Sequence, residues 1–279
     1  MAEKIKVGVV SLGCPKNQCD AEMMLAKIYN AGYKIVDEAG LADVVVITTC
    51  GFIQRAKEEA IEEIMEAITR KNDGINKKII VTGCLAQRYQ QQMDEEFPEL
   101  DGILGLGKNE DILDAIERVL KDERVVDFGK LEDHKLDGDR LQATLPHYAY
   151  LRIADGCDNC CSYCAIPQIR GKFHSRTMEN IVAEAEGLVM NGVKELILVA
   201  QDTTRYGEDL YGKIMLPELL EKLCQLDVKW IRLLYCYPER VTDELIEVIA
   251  KQDKICKYMD LPIQHCNAEI LKDMNRSGD

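Results

Sequence analysis

Six cysteines in this chain fall into two sets whose placement suits metal chemistry. The first set is compact: Cys157, Cys161 and Cys164 form a C-x3-C-x2-C run inside Gly156-Cys157-Asp158-Asn159-Cys160-Cys161-Ser162-Tyr163-Cys164. Iron-sulfur clusters are held by closely spaced cysteine thiolates. Three thiolates can hold three irons of a 4Fe-4S cube, which leaves the fourth iron open to a small molecule offering an amino and a carboxylate group. Cys160 opens a second reading, because Cys157/Cys160 and Cys161/Cys164 are also two C-x2-C pairs that could supply a four-thiolate zinc site. Zinc knuckles normally separate their pairs by a longer loop, and the adjacent Cys160 and Cys161 have difficulty facing one tetrahedral ion. Cys160 is therefore read as a spectator.

The second set is dispersed. Cys14, Cys50 and Cys84 each fall just beyond a β-branched run, in Ser11-Leu12-Gly13-Cys14, Thr48-Thr49-Cys50-Gly51 and Thr82-Gly83-Cys84. If those runs are parallel strands, their carboxyl ends are where an open α/β sheet collects ligands, and three loops there can bring three distant thiols together. The bland alternative for each is a buried small hydrophobe, the usual fate of a free cysteine. Three cysteines at equivalent positions, each beside a glycine that permits close backbone approach, favour a second metal centre. Cys19, Cys224, Cys236, Cys256 and Cys266 have no comparable placement and read as core or incidental.

The elements that must position these residues follow from the hydropathy pattern. Strands are expected over residues 5–10, 44–48, 78–82 and 103–106, alternating with helices over 21–30, 56–69, after Gln87, and 110–120. This βα repeat predicts a parallel sheet covered by helices on both faces, as domain 1–122. Residues 123–144 are charged and turn-rich, with no sustained period, and read as a linker. The alternation resumes over 145–279, with strands at 148–153, 195–200, 230–235 and 258–261 and helices at 178–190, 217–225, 243–250 and 268–274. The fold class is thus α/β, an N-terminal parallel-sheet domain followed by part of a βα barrel. Four strands do not close a barrel, so a further segment is expected to complete it.

Bulk properties narrow the function classes. With 279 residues and 47% hydrophobic content the chain can bury a sizeable core. Its longest apolar runs, Val44 to Ile47 and Leu196 to Ala200, fall far short of the roughly 18 residues of a membrane span. The amino terminus enters a strand directly without a signal-peptide pattern, so a cytoplasmic protein is expected. In that reducing compartment twelve cysteines are poor disulfide candidates and point to metal or redox chemistry. A net charge of −14 argues against this segment wrapping a phosphate backbone and suits a basic protein partner, although such a surface can also serve solubility alone.

Cys157-x3-Cys161-x2-Cys164 followed by Ala165-Ile166-Pro167, together with the three N-terminal cysteines, resembles the radical S-adenosylmethionine (SAM) methylthiotransferases over essentially the whole chain. Ser11-Leu12-Gly13-Cys14-Pro15-Lys16-Asn17 is similar to the branch that modifies a ribosomal protein. The tRNA-modifying branch usually carries Gln-Met-Asn after that cysteine. Gln201-Asp202, and Pro262-Ile263-Gln264-His265, also resemble the family. The resemblance places the radical SAM domain at 145–279 and implies, beyond it, further barrel strands, a glycine-rich SAM-contacting segment and a small β-barrel called TRAM.

The resemblance implies a reaction as well. A 4Fe-4S cluster on Cys157, Cys161 and Cys164 would bind SAM and, given an electron from a donor such as flavodoxin or ferredoxin, cleave it to methionine and a 5′-deoxyadenosyl radical. That radical would take hydrogen from the β-carbon of an aspartate in small-subunit ribosomal protein twelve. A second 4Fe-4S cluster on Cys14, Cys50 and Cys84 would supply sulfur, methylated by a second SAM. Tyr163 would pack near the adenine, and Gln201 would bond the SAM amino-acid moiety or else be an ordinary polar loop residue. His265, His134, His147 and His174 receive no role. The competing readings are a tRNA adenosine methylthiotransferase, an iron-sulfur redox module without radical chemistry, and a zinc-stabilised binding module.

Overall fold

Strand formation follows the β-branched runs. Val44-Val45-Val46-Ile47-Thr48-Thr49 is buried at every position, the signature of a central parallel strand covered on both faces. The computed structural model describes residues 4–276, and the chain forms two units, 1–141 and 142–279.

The first unit contains β1 (Lys6–Ser11), α1 (Pro15–Asn30), β2 (Lys34–Val36), β3 (Val44–Thr49), α2 (Gln54–Asn72), β4 (Lys78–Gly83), α3 (Cys84–Glu96), β5 (Gly102–Leu104), α4 (Ile112–Val119) and β6 (Val125–Asp127). The strands form one parallel sheet in the order β2-β1-β3-β4-β5-β6. One face packs Ala60, Ile64 and Ala67 of α2 and Leu85, Ala86 and Met93 of α3 against Val45, Ile47, Ile79 and Val81. The other packs Met24 and Ile28 of α1 and Ile112, Ile116 and Val119 of α4 against Val7, Val44, Val46 and Ile80. The strand order reverses between β1 and β3, the place where the loops after the two strands diverge and open a crevice.

Three elements differ from the hydropathy reading. Helix α1 begins six residues earlier than residue 21, with Pro15 in its first turn and Cys14 as its extended N-cap residue. The polar Lys16, Asn17 and Asp20 obscured the helical period, yet all three are buried. β2 is an edge strand of only three residues, too short to show a period. The stretch 123–144 is not a plain linker: Val125–Asp127 adds the sixth strand, pairing with Gly102–Leu104. The following residues are strapped onto α1 by His134 Nε2 with Asp20 (3.0 Å) and by Arg140 with Glu22 (2.5 Å). These long-range polar bonds leave no periodicity in the sequence.

The second unit contains β7 (Tyr148–Arg152), β8 (Ala154–Asp155), α5 (Ile166–Arg170), β9 (His174–Ser175), α6 (Met178–Met190), β10 (Glu195–Val199), α7 (Glu208–Tyr211), α8 (Leu216–Leu223), β11 (Trp230–Leu233), α9 (Asp243–Lys251), β12 (Ile255–Met259) and α10 (Ala268–Asp273). Its main sheet is parallel in the order β12-β11-β10-β7, so four strands are present as expected, although the last runs over Ile255–Met259 and begins three residues before the expected 258–261; β8 and β9 make a small antiparallel pair. α6, α8 and α9 cover the sheet through Ile181, Ala185, Leu219, Leu220, Leu245 and Val248. Thr177 and Thr242 cap α6 and α9 by accepting the N–H of Asn180 and Leu245.

Candidate metal centres

In the first unit the three cysteines follow β1, β3 and β4, which are neighbours in the sheet. Cys14 is the N-cap residue of α1, Cys50 follows β3 directly, and Cys84 opens α3. Two of the three thiols therefore sit at helix amino termini.

Three glycines let the loops close on one another. A Cβ on Gly13 would lie 2.6 Å from Cys50 Cβ, one on Gly51 would lie 2.7 Å from the Cys84 carbonyl oxygen, and one on Gly83 would lie 2.6 Å from the Thr49 backbone. Each loop thus presses a glycine against a neighbouring one. Gly13 and Gly83 also adopt φ of +95° and +98°, the left-handed region that side chains disfavour. Cys50 and Cys84 are buried and Cys14 is partly exposed, so the trio opens to solvent on the Cys14 side.

In the second unit the cysteine loop spans the end of β8 and the start of α5. The Cys157 N–H bonds the Gly171 carbonyl (3.0 Å), and the Cys164 N–H bonds the Cys161 carbonyl (3.0 Å). Left-handed backbone at Cys160 (φ 49°) turns the chain between the first two ligand candidates and leaves Cys160 exposed. The loop's far side is held by the chain after α10: the Ser162 N–H bonds the Met274 carbonyl (3.0 Å), and the Asn275 amide bonds the Cys160 carbonyl (2.8 Å).

Cys157, Cys161 and Cys164 share one electrostatic environment. Burial pushes the Cys157 thiol up to about 11, and the nearby Asp202, Cys164 and Cys161 add to the rise. Burial, and then Cys161, also raise Cys164. Burial thus favours the neutral thiol at Cys157 and Cys164, and bound iron would favour the thiolate instead. Tyr163 is half-exposed beside Cys161, and burial followed by the Cys161 charge pushes its hydroxyl up to about 12.

Around this loop lies a polar frame that the hydropathy pattern did not reveal. Asp202, fully buried after β10, accepts from Thr204 (2.6 Å), Arg240 (2.7 Å) and the Asn159 amide (3.3 Å). Arg240 also bonds the Asn159 carbonyl oxygen of the side chain (3.1 Å). Tyr237, after β11, places its hydroxyl 3.4 Å from Cys161 Sγ. Tyr237 and Arg240 follow the third strand, so their position at a strand's carboxyl end was the one available signal. Gln201 lies at the same end of β10, with both amide atoms buried and unpartnered. His265 Nδ1 accepts the Asn267 N–H (2.9 Å) and closes a local turn.

Among the described residues no three His, Cys, Asp or Glu side chains converge as ligands of a single metal ion do. A 4Fe-4S cube makes a different demand, because each thiolate binds its own iron and the sulfurs stand apart around the cluster. The all-thiol donor sets and the glycine-lined approach of three loops fit such a cluster. The buried unsatisfied Gln201 amide fits a polar ligand beside it.

Residues 6–105 match the family described as "Uncharacterized protein family UPF0004", and residues 151–279 match the radical SAM superfamily. The chain is 50% identical over 277 residues to the ribosomal protein uS12 methylthiotransferase RimO of Clostridium tetani. It is 51% identical over 274 residues to the protein of that name from Caldanaerobacter subterraneus subsp. tengcongensis. These alignments take in 99% and 97% of this chain and 62% of each relative, so the chain spans about three fifths of the length of the curated relatives it matches. Among solved structures it is similar to the radical SAM methyltransferase TsrM from Kitasatospora setae, with a TM-score of 0.68 at 13% identity, covering 96% of this chain and 61% of that one. That likeness concerns the fold.

Proposed function

We propose that the chain belongs with the radical SAM methylthiotransferases, supported by its two family matches and its likeness to the RimO proteins, and that it supplies the cluster-binding units of an enzyme that methylthiolates ribosomal protein uS12. The target would be the β-carbon of an aspartate side chain. The observation that carries this reading is the pair of three-cysteine sets, one in each unit, each beside the carboxyl ends of parallel strands.

Cys157, Cys161 and Cys164 would hold the SAM-binding 4Fe-4S cluster, and Cys14, Cys50 and Cys84 the auxiliary one. When bound, these groups supply one-electron cleavage of the SAM sulfonium and a sulfur for insertion, chemistry that belongs to the cofactors. The protein's share is orientation. Gln201 offers a buried N–H donor and a carbonyl acceptor, the pair that an α-amino acid's carboxylate and ammonium require. Asp202, Arg240 and Asn159 hold the cysteine loop against β10, and Tyr163 presents a half-exposed ring face to an adenine.

The substrate assignment rests on Pro15-Lys16-Asn17 after Cys14, on the names of the relatives, and on the charge of −14, which suits a basic ribosomal protein better than tRNA. An electron donor of the flavodoxin or ferredoxin class completes the partner set, and the proposed site of action is the cytoplasm. No helix among the described residues is long and apolar enough to cross a membrane.

Anaerobic reconstitution with iron and sulfide tests the reading. About eight irons are expected per parent chain, and about four in each variant lacking one cysteine trio. Zinc in place of iron would overturn it. Iron confined to the 157–164 loop would leave radical chemistry without a sulfur donor. Methylthiolation is to be assayed with purified uS12 against tRNA, using the full-length protein.

A further inference from the structure

The three thiols of the first unit come off three different strands, and no local sequence contact sets their spacing. One buried side chain touches all three loops. Asn17, in the first turn of α1 and 1% exposed, donates from Nδ2 to the Leu12 carbonyl (2.9 Å) and to the Thr49 carbonyl (3.0 Å). Its Oδ1 faces Cys84 Sγ at 3.5 Å. Leu12 precedes Cys14 by two residues and Thr49 precedes Cys50 by one, so the amide ties the ends of β1 and β3 while contacting the third cysteine itself.

The neighbouring backbone is shaped around this amide. A Cβ on Gly13 would come within 3.2 Å of Asn17 Nδ2, so the glycine leaves room for the tie. Both N–H bonds go to strand-end carbonyls in a buried setting, where an unmade hydrogen bond is costly and a made one is geometrically strict.

We propose that Asn17 is the positioning residue of the auxiliary site, setting through one carboxamide the mutual placement of Cys14, Cys50 and Cys84 that cluster assembly requires. The proposal rests on the reading of these cysteines as cluster ligands. Aspartate at this position keeps the shape and the acceptor toward Cys84 but has no N–H for the two carbonyls, and alanine removes the tie altogether.

The test uses two backgrounds. In a chain with Cys157, Cys161 and Cys164 all changed to Ala, any iron belongs to the auxiliary site. There Asn17→Asp and Asn17→Ala are expected to lower bound iron from about four to below about one per chain, with the remaining cluster altered in its EPR spectrum and reduction potential. In the complementary chain lacking Cys14, Cys50 and Cys84, the same changes should leave iron and SAM cleavage at parent levels. Unchanged iron, spectrum and potential in the first background would overturn the proposal. So would loss of the parent's apo circular dichroism in both variants, which would make Asn17 a residue of the fold alone. If the first background binds no iron even with Asn17 in place, the cluster reading itself fails, and the two failures are thereby told apart.

Discussion

The hydroxyl of Tyr237 lies 3.4 Å from the sulfur of Cys161, and the guanidinium of Arg276 stacks 3.6 Å from the centroid of the same ring. A tyrosine fixed in this way can donate to a thiolate on the cluster. Hydrogen bonds to cluster sulfurs stabilise the reduced, more negative state. Tyr237→Phe should therefore leave iron at parent level and move the potential of the 157–164 cluster lower by a few tens of millivolts. Spectroelectrochemistry on a chain lacking the other trio would read this directly; an unmoved potential would mean that the contact does not persist once iron is bound.

Gln201 gives a prediction with two readouts. Its buried amide has no partner, so Gln201→Leu should leave the stability of the free protein unchanged or raise it, since an unsatisfied buried polar group costs about 1–3 kcal/mol. SAM affinity should fall by roughly tenfold to a hundredfold, the loss of about 1.5–3 kcal/mol for a hydrogen bond to a charged group. Urea denaturation and SAM titration of the reconstituted protein check the two halves. Lower stability with unchanged SAM binding would mark Gln201 as a packing residue.

The glycine contacts predict opposite outcomes for one substitution at two places. Gly83→Ala forces a Cβ within 2.6 Å of the Thr49 backbone at a φ of +98°, and should destabilise the first unit by at least about 1–3 kcal/mol and abolish iron binding there. Gly187, on the exposed side of α6, has nothing within 4 Å of its added Cβ. Gly187→Ala should stabilise by about 0.5–1 kcal/mol through helix propensity and leave both clusters intact. Thermal melts and iron counts of the two variants decide this.

The strap over α1 can be tested apart from the metals. Glu22 is 1% exposed and faces Arg140 at 2.5 Å. Arg140→Ala removes a partner from a buried carboxylate and should cost about 2–3 kcal/mol of stability. Arg140→Lys should recover only part of it, because one ammonium cannot repeat the two bonds that the guanidinium directs at Glu22 Oε2. Chemical denaturation of both variants gives the comparison.

Much of the frame was legible without coordinates. Strands β1, β3, β4, β7, β10 and β11 coincide with β-branched runs, and α6 spans 178–190 as its hydropathy period required. The compact 157–164 run stood out as a candidate ligand set by its spacing alone. Cys14, Cys50 and Cys84 were findable because each follows a strand signal and adjoins a glycine. Less visible were the edge strands β2 and β6, each only three residues long, and what is held by polar bonds between distant residues: the start of α1 at Pro15 and the strap of residues 131–141.

What the sequence by itself determined was therefore the placement of the six candidate cysteines and of the strand ends they follow, since both depend on residue type and on local period. The tertiary structure decided which side chains stand around the thiols. Asn17 between Thr49 and Cys84, Tyr237 beside Cys161, and Asp202 between Asn159 and Arg240 join residues 32 to 81 positions apart. Such partners share no periodicity, and only the parallel register of the sheets, which brings successive carboxyl ends to one edge, puts them within bonding distance.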